Sequence, residues 1–287
     1  MNYPILAVVA IVALTVASAA PPALHAQARD IPSAAPVQLA GETQEQRGHK
    51  LLDQCLQALG GQAWLNRKNV QLNGHIGRFF RGQPTGIVID FTSTHRIPNG
   101  THPEAERIGF ITDKSMILPG KKIDIVQLWT EGHGYEVTYK GKTELPADQV
   151  ADFYRRQAHS IESIYSTWLK APGVAVVYEG TSMVERRLAD KVTVLSDNND
   201  AVTLELDATT HLPLRRTFEW RNKTFQDHDE DAEEYEDYHT VQGLPTAYSV
   251  TRYRNGDMVS QTFLTRIAYD VELPPDYFTI GILLKKK

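Results

Sequence analysis

The sequence predicts a protein of the α+β class that is mostly β, and three features support this prediction. Residues 202–207 alternate apolar and polar side chains, which is typical of a strand with one face in water. Leu212-Pro213 and Leu244-Pro245 each follow a polar turn, and proline suits a strand start because its missing N–H is not needed there. Asn255-Gly256 favours the type I′ turn of a β-hairpin.

Two helices are predicted beside these strands. The first spans 42–59 and ends at Gly60-Gly61, because glycine accepts the left-handed conformation of a helix cap. Its apolar stripe includes Cys55, the single cysteine, which we therefore interpret as a buried hydrophobic residue. The second helix spans 146–169, with Pro146 suited to the first helical position.

The remaining regular segments of the chain are predicted strands. In chain order they span 70–80, 85–97, 106–112, 123–130, 134–139, 174–179, 184–195, 201–207, 212–221, 233–241, 247–254 and 258–271. Residues 86–91 and 123–129 are apolar on both sides, so we expect part of the sheet to be covered on both faces. The helices cover one face, and apolar residues on the other must meet a second sheet or line a cavity.

The length and composition of the chain fit one domain with a substantial core. Of its 287 residues, 41% are hydrophobic and 23% are charged. The formal net charge of −5 argues against nucleic-acid binding, which usually needs a basic excess. We predict a single domain over 42–280, preceded by a flexible tether over 29–41 and followed by a C-terminal tail over 281–287.

The N-terminus has the features of a signal peptide, predicted over 1–28. An apolar run over 5–20 is followed by Ala26 and Ala28, which have the Ala-x-Ala spacing of a signal-peptidase site. Cleavage near Ala28 would leave a periplasmic or secreted protein. An uncleaved membrane anchor is the alternative, although the run is shorter than the roughly twenty residues that span a bilayer.

Four stretches of the chain resemble the outer-membrane lipoprotein-sorting proteins of the LolA-like group. They are LDQCLQALGGQAWLNRKNVQLNGHI (52–76), VTLELDATTHLPLRRTFEW (202–220), EEYEDYHTVQGLPTAYSVTRYRNGD (233–257) and LPPDYFTI (273–280). The resemblance implies an incomplete antiparallel β-barrel, a curved sheet with helices covering its concave face and an apolar cavity between them. It also implies transport of acyl chains across the periplasm of Gram-negative bacteria. The greater length, the tether and an acidic block at 227–237 depart from the group and leave the cargo open.

Aromatic residues on predicted strands are the candidates for lining such a cavity. They are Phe79, Phe91, Trp129, Phe218, Trp220 and Phe263. Each of them could instead belong to a packed core. Burial of an acyl chain of about fourteen methylenes, at roughly 0.8 kcal/mol each, is worth on the order of 10 kcal/mol before the costs of association. The expected partners are therefore the acyl chains of a lipoprotein or lipid, with envelope membrane components as further partners, and no nucleic acid.

The acidic block contains the weak candidates for a metal site, namely Asp227, His228, Asp229 and Asp231. The three aspartates have the 1-3-5 spacing of a calcium loop. An EF-hand is excluded, because Ala232 stands where glycine is needed and Tyr238 where a bidentate glutamate is needed. The alternative is a solvated acidic loop ahead of the strand at 233–241.

No motif of a hydrolase, zinc protease, dinucleotide-binding or phosphate-binding enzyme occurs in the sequence. We therefore expect a carrier without cofactors rather than an enzyme. An exported hydrolase or metal-dependent enzyme on a β scaffold, and an envelope scaffold protein, remain as the alternatives.

Overall fold

The computed structural model describes residues 41–98, 102–111, 123, 125–197, 199–222 and 227–284. The predicted signal peptide, nearly all of the tether and the end of the tail lie outside the described residues. The strands are β1 Asn69–Phe80, β2 Gln83–Arg96, β3 Ala105–Ile111, β4 Ile125–Thr130, β5 His133–Thr138, β6 Gly141–Glu144, β7 Ala175–Val184, β8 Arg187–Leu195, β9 Ala201–Asp207, β10 Pro213–Asn222, β11 Asp227–Val241, β12 Leu244–Arg254 and β13 Asp257–Tyr269. The helices are α1 Gln44–Leu59, α2 Gly61–Leu65, α3 Ala147–Ala158, α4 Ile161–Ser166 and α5 Ile280–Leu284, with a 3-10 turn at Trp168–Lys170.

All of these strands form one curved, unclosed antiparallel sheet in the order β6-β5-β4-β3-β2-β1-β13-β12-β11-β10-β9-β8-β7. Two meanders, β1 to β6 and β7 to β13, meet where the first strand pairs with the last. The predicted α+β class and incomplete β-barrel are confirmed. We call the face that packs against α1 to α4 the inner face, and the opposite one the outer face. Among the described residues, no helix is long and apolar enough to cross a membrane.

The main core fills the inner face over β7 to β10. Leu52 and Cys55 of α1 pack there with Val192, Val202 and Leu204 of the sheet, and all five are at most 1% exposed. Burial raises the pKa of the Cys55 thiol to about 12, which keeps it protonated. The prediction of Cys55 as a buried hydrophobic residue is confirmed.

The first helix follows its sequence signals. A capping box joins Thr43 and Gln46 at its start, with each side chain accepting from the backbone N–H of the other. Gly60 ends the helix in the left-handed conformation, at a φ of 119°.

The outer face is covered over β3 and β4 by the C-terminal segment. Ala105 and Leu128 are fully buried there against Phe278. The predicted double coverage of 123–129 is thereby explained, because Trp129 faces inward and Leu128 outward. Leu283 of α5 packs against the same cluster, so the predicted tail shares its first four residues with a helix.

The predicted single helix over 146–169 is wrong, because the chain breaks after Ala158. Ser160 caps α4, its Oγ accepting from the N–H of Ser163 at 3.1 Å. The last carbonyls of α3 are satisfied from the sheet, where Arg216 donates to the oxygens of Arg156 and His159 at 3.2 and 2.8 Å. Apolar periodicity continues through the break, and it therefore concealed the break in the sequence.

The alternative of a solvated acidic loop at 227–237 is also wrong, because these residues form the first part of β11. Asp231 is fully buried in that strand. Arginines on neighbouring elements neutralise its charge, and a run of carboxylates can therefore occupy a strand in the middle of the sheet.

Gly74 lies at an irregularity in the pairing of β1 with β13. A Cβ at this position would overlap the carbonyl oxygen of Phe263, which is part of the ladder and cannot move freely. We expect Gly74→Ala to lower the free energy of unfolding by about 2 kcal/mol, measured by urea denaturation, because overpacking displaces the backbone. Gly77→Ala is the matched control, since its nearest neighbour would be Gln261 O at 3.7 Å. Equal losses in the two variants would contradict this account.

Candidate ligand-binding site

The inner face of β1 to β4 presents apolar side chains in two cross-strand rows. In the first, Ile125 pairs with Phe110, which pairs with Phe91. In the second, Ile89 pairs with Ile76. The two phenylalanines are buried, whereas the three isoleucines are half-buried. We call these five residues the apolar rows.

Helix α3 lies beside the apolar rows and contributes a further aromatic ring. Phe153 stacks on Trp129 of β4 with ring centroids 4.4 Å apart and planes 9° apart. Gly134, the cross-strand partner of Trp129, leaves the space for the indole, because a Cβ there would come within 2.8 Å of it. One edge of the apolar region is therefore built from β4, β5 and α3 together.

A cluster of charged side chains, which we call the ionic junction, connects α3 to the middle of the sheet. Asp152 of α3 forms ion pairs with Arg156 of its own helix and with Arg252 and Arg254 of β12. Arg252 also donates to Asp231 through Nε at 2.9 Å and through Nη2 at 2.6 Å. Because Asp231 is fully buried, this pairing offsets the cost of desolvating its charge.

The junction continues inward through a second buried pair. Arg216 is 2% exposed, and its Nη2 lies 3.1 Å from Oε2 of Glu233. Tyr235 donates to the same Oε2 at 2.8 Å. A cavity of about 310 Å³ borders this pair, with Arg67 and Glu162 also in its wall. This cavity is thus polar, and it is separate from the apolar rows on the inner face of β1 to β4.

The electrostatics of the junction favour its charged state. Burial alone would raise the pKa of Asp152, but Arg156 and Arg254 more than offset it and hold that pKa below its ordinary value. The pKa of Glu233 is lowered in the same way, with Arg216 opposing the effect of burial. Burial and the nearby Arg252 lower the pKa of Arg156. The pKa values of Arg216 and Arg252 are raised, because Glu233 and Asp231 outweigh the effect of burial. The carboxylates and these two arginines therefore stabilise one another in their ionised forms.

The structure distributes the predicted aromatic residues over both faces. Phe91 belongs to the apolar rows and Trp129 lies at their edge. Phe218 is on the inner face in the filled core, stacked on His159 at 4.3 Å.

Trp220, also on the inner face, contacts the guanidinium groups of Arg155 and Arg254 at 4.5 and 4.6 Å. Phe79 and Phe263 point to the outer face, as the alternation along β1 and β13 requires.

Most of the apolar rows lay outside the six predicted candidates, which were all strand aromatics. Phe110 also lies on a predicted strand, and it was missed. Ile76, Ile89 and Ile125 look like ordinary strand residues in the sequence, and Phe153 looks like an ordinary helical core residue. Strand pairing brings the isoleucines together, and pairing partners cannot be derived from one sequence. The signal available was the doubly apolar stretch at 86–91.

The four weak metal candidates do not converge. Asp231 is paired with arginine, and Asp229 accepts from the side-chain amides of Asn222 and Asn255 at 2.7 and 2.9 Å. His228 lies on the opposite face of β11 from these aspartates. Within the residues that the structure describes, no three carboxylate, imidazole or thiolate groups come together as a metal site would require.

These features define the class of the protein by its fold: an unclosed antiparallel sheet whose inner face is packed against helices and carries half-buried apolar rows. No protein-family model and no curated protein matches the sequence. Solved structures do match, and they confirm the LolA-like resemblance at the level of the fold.

A DUF1329 family protein from Desulfovibrio piger superposes with a TM-score of 0.57 at 11% identity, covering 84% of this chain and 100% of its own. A domain described as an outer membrane lipoprotein-sorting protein, from Vibrio parahaemolyticus, gives 0.53 at 8% identity, covering 83% and 99%. A LolA superfamily protein from Nitrosomonas europaea gives 0.50 at 10% identity, covering 82% and 98%.

Replacement of Asp152 tests the ionic junction. We expect Asp152→Asn to lower the free energy of unfolding by about 2 kcal/mol at pH 6, because four arginines lose a charged acceptor. The folded-state pKa of Asp152 is below its ordinary 3.8, so its contribution is present above that value and is lost as pH falls through the lower folded pKa.

The difference in free energy of unfolding between the wild type and the Asp152→Asn variant should therefore shrink below about pH 4. Urea denaturation at a series of pH values measures it. Asp148→Asn, at an exposed position in the first turn of α3, is the control. A difference that stays constant down to pH 2 would show that the charge of Asp152 is not what stabilises the junction.

Proposed function

We propose that this protein is an exported, periplasmic carrier that binds a hydrophobic ligand, an acyl chain of a lipid or lipoprotein, against the apolar rows. One observation carries the proposal: Ile76, Ile89 and Ile125 remain half-buried on the inner face, where the rest of the core is closely packed. An apolar surface left accessible inside a curved sheet favours a binding role, because exposure of such a surface to water costs free energy.

The energetics of a bound chain fit this surface. An acyl chain needs no polar partner, and each methylene removed from water contributes about 0.8 kcal/mol. A chain that contacts the two rows over roughly half its length would gain about 5 kcal/mol before the costs of association. A binding free energy of this size suits a carrier, which must release its ligand as well as bind it.

The similar folds support the proposal. The matching Vibrio parahaemolyticus domain is described as lipoprotein-sorting, and the Nitrosomonas europaea protein is placed in the LolA superfamily. The predicted signal peptide adds the periplasmic location. We propose no catalytic role, because the junction uses its ionisable groups to neutralise one another and leaves none of its carboxylates free to act as a base.

Threonine substitutions in the second apolar row test this proposal. We expect the double variant Ile76→Thr, Ile89→Thr to bind a fluorescent C16 acyl probe roughly tenfold more weakly or worse, since each substitution replaces an ethyl branch of two carbons by a hydroxyl. Fluorescence titration measures the affinity, and native mass spectrometry of gently purified protein should show co-purified lipid.

Val88→Thr is the matched control for the double variant. Val88 is next to Ile89 in sequence but points to the outer face, where it is 54% exposed. We expect its affinity to equal that of the wild type. A wild-type chain that stays empty when offered lipids and lipopeptides would refute the carrier proposal, and equal losses in the inner and outer variants would refute the site.

A further inference from the structure

A row of polar and basic residues lies next to the apolar rows on the inner face. Arg78 of β1 pairs with Ser260 of β13, and Ser260 pairs with Arg252 of β12. Arg78 follows Ile76 by two residues in β1, so the two side chains lie on the same face. The second apolar row and the arginine row are therefore adjacent along the sheet.

The two arginines of this row are close enough to share one anion. They are separated by a single intervening strand, so their backbones are roughly 10 Å apart. Guanidinium groups on side chains of this length can both reach a carboxylate or phosphate placed over Ser260, whose hydroxyl lies between them.

The charge around the row is unbalanced. The linked basic groups are Arg67, Arg78, Arg155, Arg156, Arg216, Arg252 and Arg254, and the linked acidic groups are Asp152, Glu162, Asp229, Asp231 and Glu233. Seven cationic groups therefore face five carboxylates, in a chain whose formal net charge is −5. A local surplus of two positive charges inside an acidic protein is a site that attracts an anion.

Arg78 and Arg252 differ in their carboxylate partners. Among the residues that the structure describes, Arg78 forms no ion pair with a carboxylate, whereas Arg252 is held by Asp231 and Asp152. Arg78 is exposed at the edge of the apolar rows, and desolvation by its neighbours together with repulsion from Arg252 lowers its pKa. An anion between the two guanidinium groups would relieve this repulsion.

From this juxtaposition we propose that the ligand is an acidic amphiphile, whose carboxylate or phosphate headgroup binds between Arg78 and Arg252 while its chain lies along the apolar rows. This inference rests on the proposed carrier function and names the chemical class of its ligand. The headgroup lies over the end of the second row at Ile76 and Ile89, and the chain runs from there towards Phe91 and Phe110.

Paired probes of equal chain length test the inference. We expect the wild-type protein to bind palmitate about tenfold more tightly than palmitic acid methyl ester, because the ester lacks the charge. Arg78→Gln should weaken palmitate binding by about fivefold to tenfold and leave ester binding unchanged. Arg78→Lys should retain most of the palmitate affinity, and rising salt should weaken the binding of palmitate but not of the ester.

Arg266→Gln is the matched control, since Arg266 is exposed on the outer face of β13 and should leave both affinities unchanged. Arg78→Gln should also keep the wild-type stability, which urea denaturation checks. Inorganic phosphate at millimolar concentration is a third probe. It should not displace palmitate, because a headgroup alone lacks the contribution of the chain.

The possible outcomes distinguish a failure of the acidic headgroup site from a failure of the carrier function. Equal affinity of the wild type for palmitate and its ester, or no effect of Arg78→Gln, overturns the acidic headgroup and leaves the carrier intact. Displacement by phosphate alone would identify a site for a free anion and overturn the amphiphile. Failure of both lipid probes to bind would overturn the carrier function itself. If Arg78→Gln loses stability, the ratio of palmitate to ester affinity within that variant decides, because loss of folded protein weakens both probes equally whereas loss of the headgroup contact weakens palmitate alone.

Discussion

Asp231 is a carboxylate with no access to water in the middle of a β-sheet, and its neutralisation organises the structure around it. Burial of an unpaired carboxylate would cost several kcal/mol, so arginines must surround it. Arg252 is shared between Asp231 and Asp152, and sharing the guanidinium fixes α3 across the sheet. Arg216 approaches from the other side and caps the end of the same helix. The helix break and the acidic strand therefore have a common cause.

The position of α3 divides the inner face into two parts with different roles. Over β7 to β10 the helices α1, α2 and α4 supply enough apolar side chains to fill the space, and Cys55 is among the residues sealed there. The same core extends to Val70 and Leu72 at the start of β1, whereas β4 is covered by α3 through Phe153. One part of the sheet therefore holds the closely packed core, and the other part leaves three isoleucine side chains half-buried.

The fold class could be predicted from the sequence because strand alternation and turn residues are local signals. Leu212-Pro213, Leu244-Pro245 and Asn255-Gly256 lie at strand starts and at a hairpin turn, as their backbone chemistry requires. The end of α1 at Gly60 was likewise determined by one residue and its left-handed conformation. The break at Ser160 was missed because apolar spacing continues across it, and the acidic strand was missed because its counter-charges are distant in sequence.

The sequence by itself determined the mostly β architecture, the capped first helix and the burial of Cys55, since each of these depends on residues within a few positions of one another. The tertiary structure alone decided which strands are neighbours, and hence that Ile76, Ile89 and Phe91 form one surface bordered by Arg78 and Arg252. It also decided that Phe79 and Phe263 face outward. The physical reason is that the neighbours of a strand side chain come from partner strands across the sheet, and long-range pairing leaves no local trace in the chain.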